Sequence, residues 1–200
     1  FKGPGGHSYG AFGMPNPIHA LGRAMAKIGD FQVPRSPRTT FNVGTITGGT
    51  SVNTISPIGT MEVDLRSESP AELARLDSMF RRAVTEALEE ENARWPDSRT
   101  RITVEVESMG VRPAGFQADT AYIVRAALAA GRALGFDAPT TASSTDANLP
   151  MSLGIPAITI DGGGRGRGAH SVSESYDDGE RGWLGPQWAL LIVTTLAGVR

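Results

Sequence analysis

The 200-residue sequence has no cysteine, no basic cluster and no long apolar run. The lack of cysteine excludes disulfides and thiolate metal sites, so any metal site has to use histidine and carboxylate ligands. The lack of a basic cluster argues against a nucleic-acid partner, and the lack of a long apolar run argues against a membrane span. The 40% of hydrophobic residues and the formal net charge of −2 are ordinary for a globular protein.

A signal-peptide pattern is also missing. The chain begins Phe1-Lys2-Gly3-Pro4, without Met, and no apolar signal segment follows. We therefore expect a cytoplasmic location and a chain that starts inside a longer protein.

Helix and strand patterns alternate through the first 110 residues. Asn16-Pro17 supplies an N-cap and a first-turn proline for a helix over residues 16–29. Ser69-Pro70-Ala71-Glu72 is a capping box that opens a longer second helix. Strand patterns cover residues 1–12, 39–47, 58–66 and 101–107. The order βαββαβ predicts a ferredoxin-like α+β domain over residues 1–110, with both helices on one face of a four-stranded antiparallel sheet.

A linker pattern separates this region from the rest of the chain. Residues 109–116 carry Gly and Pro, so a second domain is expected over residues 113–200. Its patterns alternate between helices and strands, which predicts an incomplete α/β portion. The predicted helices cover about residues 119–134 and 180–197, and the predicted strands cover residues 139–143 and 157–160.

His170 is the candidate metal ligand among three histidines. It follows a predicted strand that ends in Gly162-Gly163-Gly164, where glycine lets the backbone approach a ligand closely. An imidazole at such a strand exit suits zinc, with Glu174 as the partner that would accept a hydrogen bond from the imidazole. A solvated loop histidine is the alternative, and for His7 and His19 a structural or exposed role is the simpler interpretation.

Two further motifs point to other chemistry. Gly6-His7-Ser8-Tyr9-Gly10 matches a nucleophile elbow, and Ser8, Asp146 and His170 follow the chain order of a serine-hydrolase triad. However, the elbow requires an apolar strand before the serine and a helix directly after it, and both patterns are missing. Residues 162–168 resemble a phosphate loop but lack its Lys-Ser/Thr pair and the helix behind it.

Six segments, in their order along the chain, resemble the M20 family of zinc metallopeptidases, which includes aminoacylases, carboxypeptidase-like enzymes and di- and tripeptidases. Any one segment is a weak indication, whereas the ordered set covers nearly the whole chain. The segments are Gly3 to Ser8, Asn16 to Leu21, Gly48 to Ile55, Asp64 to Ser67, Ser144 to Asn148 and Gly168 to Ser171.

The resemblance implies that residues 1–110 form the lid, or dimerisation, domain and that residues 113–200 form the closing half of the catalytic domain. His7 is then expected to reach the partner subunit's site and stabilise the oxyanion there. Asn53 and Arg66 are expected to bind the substrate, typically through a carboxylate end.

In the second region, the resemblance implies that His170 is a zinc ligand. The loop that carries Asp146 and Asn148 is expected to border the substrate. The partners expected from the family are a second copy of the chain, which would bind through the lid, and a small peptide or N-acyl amino acid substrate.

The sequence departs from the family in its metal ligands. No His-x-Asp pair is present, and Glu89-Glu90-Glu91 lies in the predicted second helix rather than at a metal site. We therefore expect a parent amide hydrolase with two zinc ions per site, and a 200-residue fragment that retains no zinc and is inactive alone. A non-catalytic dimerisation module is the alternative, with a serine hydrolase using Ser8 in third place.

Overall fold

The computed structural model describes residues 1–198 and divides into two compact units. The first unit is Phe1–Val111, and the second begins at Arg112. The two units are distinguished by their compactness alone. That the first is a lid and the second a part of a catalytic domain stays a prediction. Within the described residues, no helix is long and apolar enough to cross a membrane.

The first unit contains two helices and two pairs of strands, which confirms the mixed helix and strand content that was predicted, whereas each sheet of the described residues has two strands and not four. The paired strands form two-stranded antiparallel sheets, β1 with β3 and β2 with β4. The elements are β1 (Gly6–His7), α1 (Pro17–Gly29), β2 (Thr39–Gly48), β3 (Thr54–Ile55), β4 (Gly59–Ser67) and α2 (Pro70–Ala93).

The two helices begin where their capping residues predict. The side chain of Asn16 accepts a hydrogen bond from the amide of Ile18 at 2.8 Å. The hydroxyl of Ser69 accepts a hydrogen bond from the amide of Glu72 at 3.3 Å. Each cap satisfies a backbone donor that the first helical turn leaves without a partner.

The strand predicted over residues 101–107 is wrong, because pairing in this segment is confined to one bridge. The amide of Lys2 donates to the carbonyl of Thr103 at 2.8 Å, and the amide of Thr103 donates back at 2.9 Å. On its other side, the carbonyl of Phe1 accepts from Gly59 at 3.0 Å. A strand needs a continuous ladder, so alternating side chains alone did not make one here.

The core of the first unit lies between the helices and the strands. Leu21 and Ala24 on α1 meet Val84 and Ala87 on α2, and all four are at most 2% exposed. Ile102 closes the cluster. The helical spacing of these apolar residues is what buries one face of each helix.

The second unit is mostly helix and irregular chain. The strands predicted at residues 139–143 and 157–160 are not formed, because neither segment has a hydrogen-bonded strand neighbour among the described residues. The elements are α3 (Tyr122–Ala133), α4 (Asn148–Ser152), β5 (Arg165–Arg167), β6 (Ser175–Asp177) and α5 (Leu184–Ala197).

The core of the second unit is a contact between α3 and α5. Ala127 and Ala130 pack against Trp188 and Ile192. The indole N–H of Trp188 donates to the carbonyl of Ala127 at 2.8 Å, and its ring meets Phe136 edge-on at 5.1 Å. A buried indole usually has a hydrogen-bond partner, and edge-on aromatic pairs add to the stability of such a contact.

Candidate functional site

The pairing of β1 with β3 brings two of the predicted site residues together. His7 lies opposite Thr54 in the antiparallel pair. The next amide, that of Ser8, donates to the carbonyl of Asn53 at 2.9 Å. His7 and Asn53 are therefore neighbours on one exposed end of the first unit, formed by residues 6–13 and 49–55, which we call the β1–β3 tip.

A turn orients the imidazole of His7. The carbonyl of His7 accepts from the amide of Ala11 at 2.8 Å, which closes one helical turn. Nδ1 of His7 accepts from the amides of Tyr9 at 3.3 Å and Gly10 at 3.4 Å. His7 thus caps its own turn, in the manner of an N-cap side chain. In the neutral ring, the proton then lies on Nε2, which leaves that atom as a donor.

The side-chain oxygen of Asn53 is held by a hydrogen bond. The hydroxyl of Ser51 donates to Oδ1 of Asn53 at 2.7 Å and lies 2.7 Å from the hydroxyl of Thr54. Ser51, Val52 and Asn53 are all exposed. The amide group of Asn53 therefore keeps its N–H atoms toward solvent.

Arg66 is not brought to His7 and Asn53 within the first unit. It lies near the last residue of β4, opposite Thr40, and its Nε donates to Asp64 at 2.6 Å. Arg66 is seven positions along the extended strand from Gly59, a distance of about 23 Å. Both members of the ion pair are more than half exposed, so the guanidinium remains accessible to a ligand.

In the second unit, both predicted substrate residues of the loop over residues 144–148 have partners. Asp146 forms an ion pair with Nη2 of Arg112 at 3.1 Å, and its carboxylate is fully exposed. Asn148 accepts from the amide of Thr145 at 2.8 Å and donates to the carbonyl of Pro113 at 3.0 Å. Asn148 thus holds this loop to the start of the unit, a bracing contact that the sequence motif did not predict.

His170 lies in an exposed loop between β5 and β6, with a backbone φ of 63°. This left-handed conformation is uncommon for a residue other than glycine. The backbone amide of His170 donates to Oε2 of Glu174 at 3.4 Å. Glu174 therefore contacts the main chain of His170, whereas the sequence predicted a contact with the imidazole.

The described residues do not fit a complete zinc site. Structural and catalytic zinc need three or four protein donors around one ion. Over residues 1–198, no group of three or more His, Asp or Glu side chains is close enough to hold a metal. His170 with Glu174 offers one imidazole and one carboxylate that already accepts a backbone hydrogen bond.

The two alternative motifs lack the geometry that their chemistry needs. Ser8 follows a two-residue strand and enters turns over residues 8–13, whereas α1 begins only at Pro17. A nucleophile elbow needs a strand-to-helix turn at the serine itself. In the segment that resembles a phosphate loop, Gly163 serves packing, since a Cβ there would lie 2.5 Å from the amide nitrogen of Gly185.

Glu91 is the polar residue that sequence reasoning missed. It is fully buried on α2, and its carboxylate accepts from the amide of Asn16 at 3.0 Å and from Nε of Arg23 at 3.0 Å. The indole N–H of Trp95 donates to it as well, at 3.3 Å. Its position four residues after the buried Ala87 was the available signal, but from the sequence the run of three glutamates is predicted only to lie in the second helix, without a buried role.

Comparison with known proteins assigns the first unit. Residues 1–92 match the family described as the peptidase dimerisation domain of the M20 type. The matched residues lie within the first unit. The resemblance to M20 peptidases inferred from the sequence is therefore confirmed, and the match contains His7, Asn53 and Arg66. No curated protein matches the sequence.

Solved structures share the fold over most of the chain. They are a tripeptidase from Staphylococcus aureus (TM-score 0.74, 98% of this chain and 49% of that chain) and the aminopeptidase PepT from Bacillus cereus (0.67, 98% and 50%). An aminobenzoyl-glutamate utilization protein from Klebsiella pneumoniae is also similar (0.55, 76% and 37%). Each is 21% identical to this chain in sequence, and the structural similarity shows a common fold. This chain thus spans about half the length of the first two proteins.

Proposed function

We propose that this chain is the dimerising part of an amide hydrolase that acts on small peptides or N-acyl amino acids. The observation that carries the proposal is the match of residues 1–92 to the peptidase dimerisation domain. The shared fold with a tripeptidase, over 98% of the chain, supports a peptide substrate. The two proposed roles, dimerisation and hydrolysis, rest on different residues.

The dimer is proposed to form at the free edge of β2. β2 is hydrogen-bonded to β4 on one side, and among the described residues no strand pairs with its other side. An unpaired edge offers a row of backbone donors and acceptors to a second strand. Two copies that pair β2 with β2 would be related by a twofold axis, the usual symmetry of a homodimer.

A ferredoxin-like sheet in the first unit belongs to the same proposal. The backbone of residues 1–3 bonds to residues 57–59 on one side and to Thr103 on the other. Extension of these bonds in the dimer would give the segments the order 101–105, 1–3, β4, β2. The edge strand of that sheet is β2, which is the strand proposed to meet its copy.

The contribution to hydrolysis is proposed to come from the β1–β3 tip. Two of its exposed side chains, His7 and Asn53, present N–H groups that can bind the carbonyl oxygen of an amide. In a dimer, His7 would act in the site of the neighbouring subunit. Arg66, Asp146 and Asn148 stay proposed substrate contacts.

Zinc is proposed for the parent enzyme alone. His170 would be one ligand there, with Glu174 beside it, and two zinc ions per site would require donors beyond those described. The same observation favours the second candidate, a non-catalytic dimerisation module, as the function of the 200-residue chain by itself. A cytoplasmic location stays a prediction.

Sedimentation equilibrium of the purified chain tests the dimer. We expect a mass of twice 21.1 kDa. Ile46→Lys, which introduces a charge on the exposed half of β2, should weaken association by about tenfold or more. Ile58→Lys is the matched control, because Ile58 is also about half exposed but lies outside β2, and it should leave the mass unchanged. A monomer at all concentrations would contradict the proposal.

A further inference from the structure

A cleft on the first unit lies between the chain that follows α1 and the middle of α2, and we call it the α1–α2 cleft. It encloses about 600 Å³ and is open to solvent. Asp30 and Phe31 line it from the segment after α1. Arg75, Met79 and Arg82 line it from α2, where spacings of four and three residues place them on one helical face. A volume of this size is in the range of small-molecule sites.

Arg82 is a cation of the cleft that has no protein partner. Its position four residues before Glu86 suits an ion pair within α2. Glu86, however, pairs with Nζ of Lys27 on α1, at 3.2 Å. Over residues 1–198, the guanidinium of Arg82 makes no ion pair or hydrogen bond, and the residue is exposed. Such a guanidinium can bind a carboxylate through two parallel hydrogen bonds.

The same contact between the helices leaves Asp30 without a cation. Lys27 lies three residues before Asp30, but its ammonium pairs with Glu86 and Glu90 at 3.2 and 2.8 Å. The side-chain amide of Gln32 donates to the backbone carbonyl of Asp30 rather than to its carboxylate. Within the part of the chain that the structure describes, this carboxylate makes no ion pair or hydrogen bond. The cleft therefore contains one unpaired charge of each sign.

Apolar groups and a braced wall complete the cleft. The ring of Phe31 meets that of Phe41 on β2 edge-on at 5.5 Å. Arg75 contacts both sides of the cleft, since Nη2 donates to the carbonyl of Gln32 at 3.4 Å and Nη1 lies 3.1 Å from Sδ of Met79. Phe31 and Met79 are half-buried, so they offer apolar surface to a ligand that binds the two charges.

We propose that the α1–α2 cleft binds a free α-amino acid with an apolar side chain. The carboxylate of the amino acid pairs with Arg82 and its ammonium pairs with Asp30, while its side chain contacts Phe31 and Met79. A ligand with charge of one sign alone would leave one charge of the cleft unpaired. These residues take no part in the proposed dimerisation or hydrolysis, so the inference goes beyond that function. An amino acid is also what the proposed hydrolysis would release, and this link alone rests on the proposed function.

Nitrogen-15 NMR of the 200-residue chain, titrated with L-leucine, tests the proposal. We expect the backbone amides of residues 30–32 and 75–82 to shift, with a dissociation constant on the order of 1 mM for so small a ligand. N-acetyl-leucine lacks the ammonium and leucinamide lacks the carboxylate, and each should bind about fivefold more weakly or worse. Glycine lacks the apolar side chain and should also bind more weakly than leucine.

Substitutions in the cleft assign each charge to its partner. Arg82→Gln should weaken leucine binding by about fivefold or more and should not weaken leucinamide binding. Asp30→Asn should weaken leucine binding equally and should not weaken N-acetyl-leucine binding. Both residues are exposed, so the first unit should stay folded. Arg81→Gln is the matched control, because Arg81 pairs with Asp77 at 2.8 Å and does not line the cleft, and it should bind leucine as the wild type does.

The outcomes separate this inference from the proposed function. Absence of amide shifts at about 20 mM leucine would overturn the inference, because a millimolar site would then be nearly saturated. Equal binding of leucine by the wild type and Arg82→Gln, or equal binding of leucine and N-acetyl-leucine by the wild type, would overturn it as well. Leucine binding in the cleft by a chain that sediments as a monomer would support the inference and contradict the proposed dimer.

Discussion

The two units of this chain differ in how completely they bury their own apolar residues. In the first unit, Leu21, Ala24 and Leu76 are at most 2% exposed, and even a carboxylate, that of Glu91, is fully buried with its partners. In the second unit, the best buried apolar residue is 4% exposed, and large side chains such as Leu190 and Val193 on α5 are more than half exposed. The first unit closes its own core, whereas the second leaves a large part of its apolar surface in solvent.

The two units also differ in how they resemble known proteins. Residues 1–92 are similar in sequence to the peptidase dimerisation domain, whereas the second unit is similar to known proteins in its fold. An exposed apolar surface of this extent is typical of a face that another polypeptide covers. Substitutions in both units test this difference in burial.

The buried carboxylate of the first unit should give the largest effect. Glu91→Ala leaves the amide of Asn16, Nε of Arg23 and the indole of Trp95 without their acceptor. Removal of one partner from a buried charged network destabilises by about 3–5 kcal/mol. Hydrogen exchange followed by mass spectrometry should show faster exchange in α1 and α2. Glu90→Ala, at a half-exposed neighbour, should change stability by less than about 1 kcal/mol.

Two adjacent leucines on α5 test how little of the second unit is packed. Leu191 contacts the core of that unit, whereas Leu190 is 65% exposed. Leu191→Ala should lower the free energy of unfolding by about 2 kcal/mol, and Leu190→Ala should change it by less than about 0.5 kcal/mol. Hydrogen exchange of the α5 amides, followed at increasing urea concentration, measures the change in the free energy of unfolding for both variants. Equal losses would mean that the exposed face is packed in solution.

Two tryptophans of the second unit offer a matched pair of smaller changes. Both donate an indole N–H to a backbone carbonyl, Trp188 in the core and Trp183 at an exposed site. Trp188→Phe should destabilise by about 1–2 kcal/mol, because its acceptor is buried. Trp183→Phe should have an effect below about 0.5 kcal/mol. Thermal unfolding followed by circular dichroism would contradict this account if the two variants were equally stable.

The smallest effect is a pH dependence in the first unit. The ammonium of Lys2 lowers the pKa of Glu105 from its ordinary value of 4.5. A carboxyl whose pKa is lower in the folded state stabilises that state above the unfolded pKa, and this stabilisation is lost as the pH falls through the folded pKa. Unfolding measured between about pH 5 and pH 3 should therefore depend less on pH in Glu105→Gln. Lys2→Gln should flatten the dependence equally, and an unchanged slope in either variant would contradict the pairing.

The parts of the fold that the sequence predicted are those with local causes. Asn16 and Ser69 cap their helices through bonds within three residues, so the beginnings of α1 and α2 could be predicted. The strands predicted at residues 101–107, 139–143 and 157–160 failed, because a strand depends on a neighbour that is distant in sequence. The same limit applied to Glu91, whose partners lie on another helix.

In the candidate site, too, local motifs could be predicted from the sequence, whereas contacts between distant residues could not. His7 and Asn53 could be singled out from their motifs, but their adjacency comes from the register of β1 and β3. The roles of Ser51 and of the Tyr9 and Gly10 amides required side-chain geometry that no spacing encodes. The hydrogen bond of Glu174 to the backbone amide of His170 likewise depends on how the loop folds, and a contact of Glu174 with the imidazole stays a prediction.

The proposed dimer through β2 is tested most directly by a distance between two copies of the first unit. The chain has no cysteine, so Thr45→Cys gives one spin label per chain, on β2. If β2 pairs with β2 of a second copy, facing Cα atoms near the twofold axis lie about 5–10 Å apart, and pulsed electron spin resonance should report one short distance. A label on Leu190→Cys provides the reference from the second unit. Absence of any short distance from Thr45→Cys, in samples that sediment as a dimer, would contradict the account.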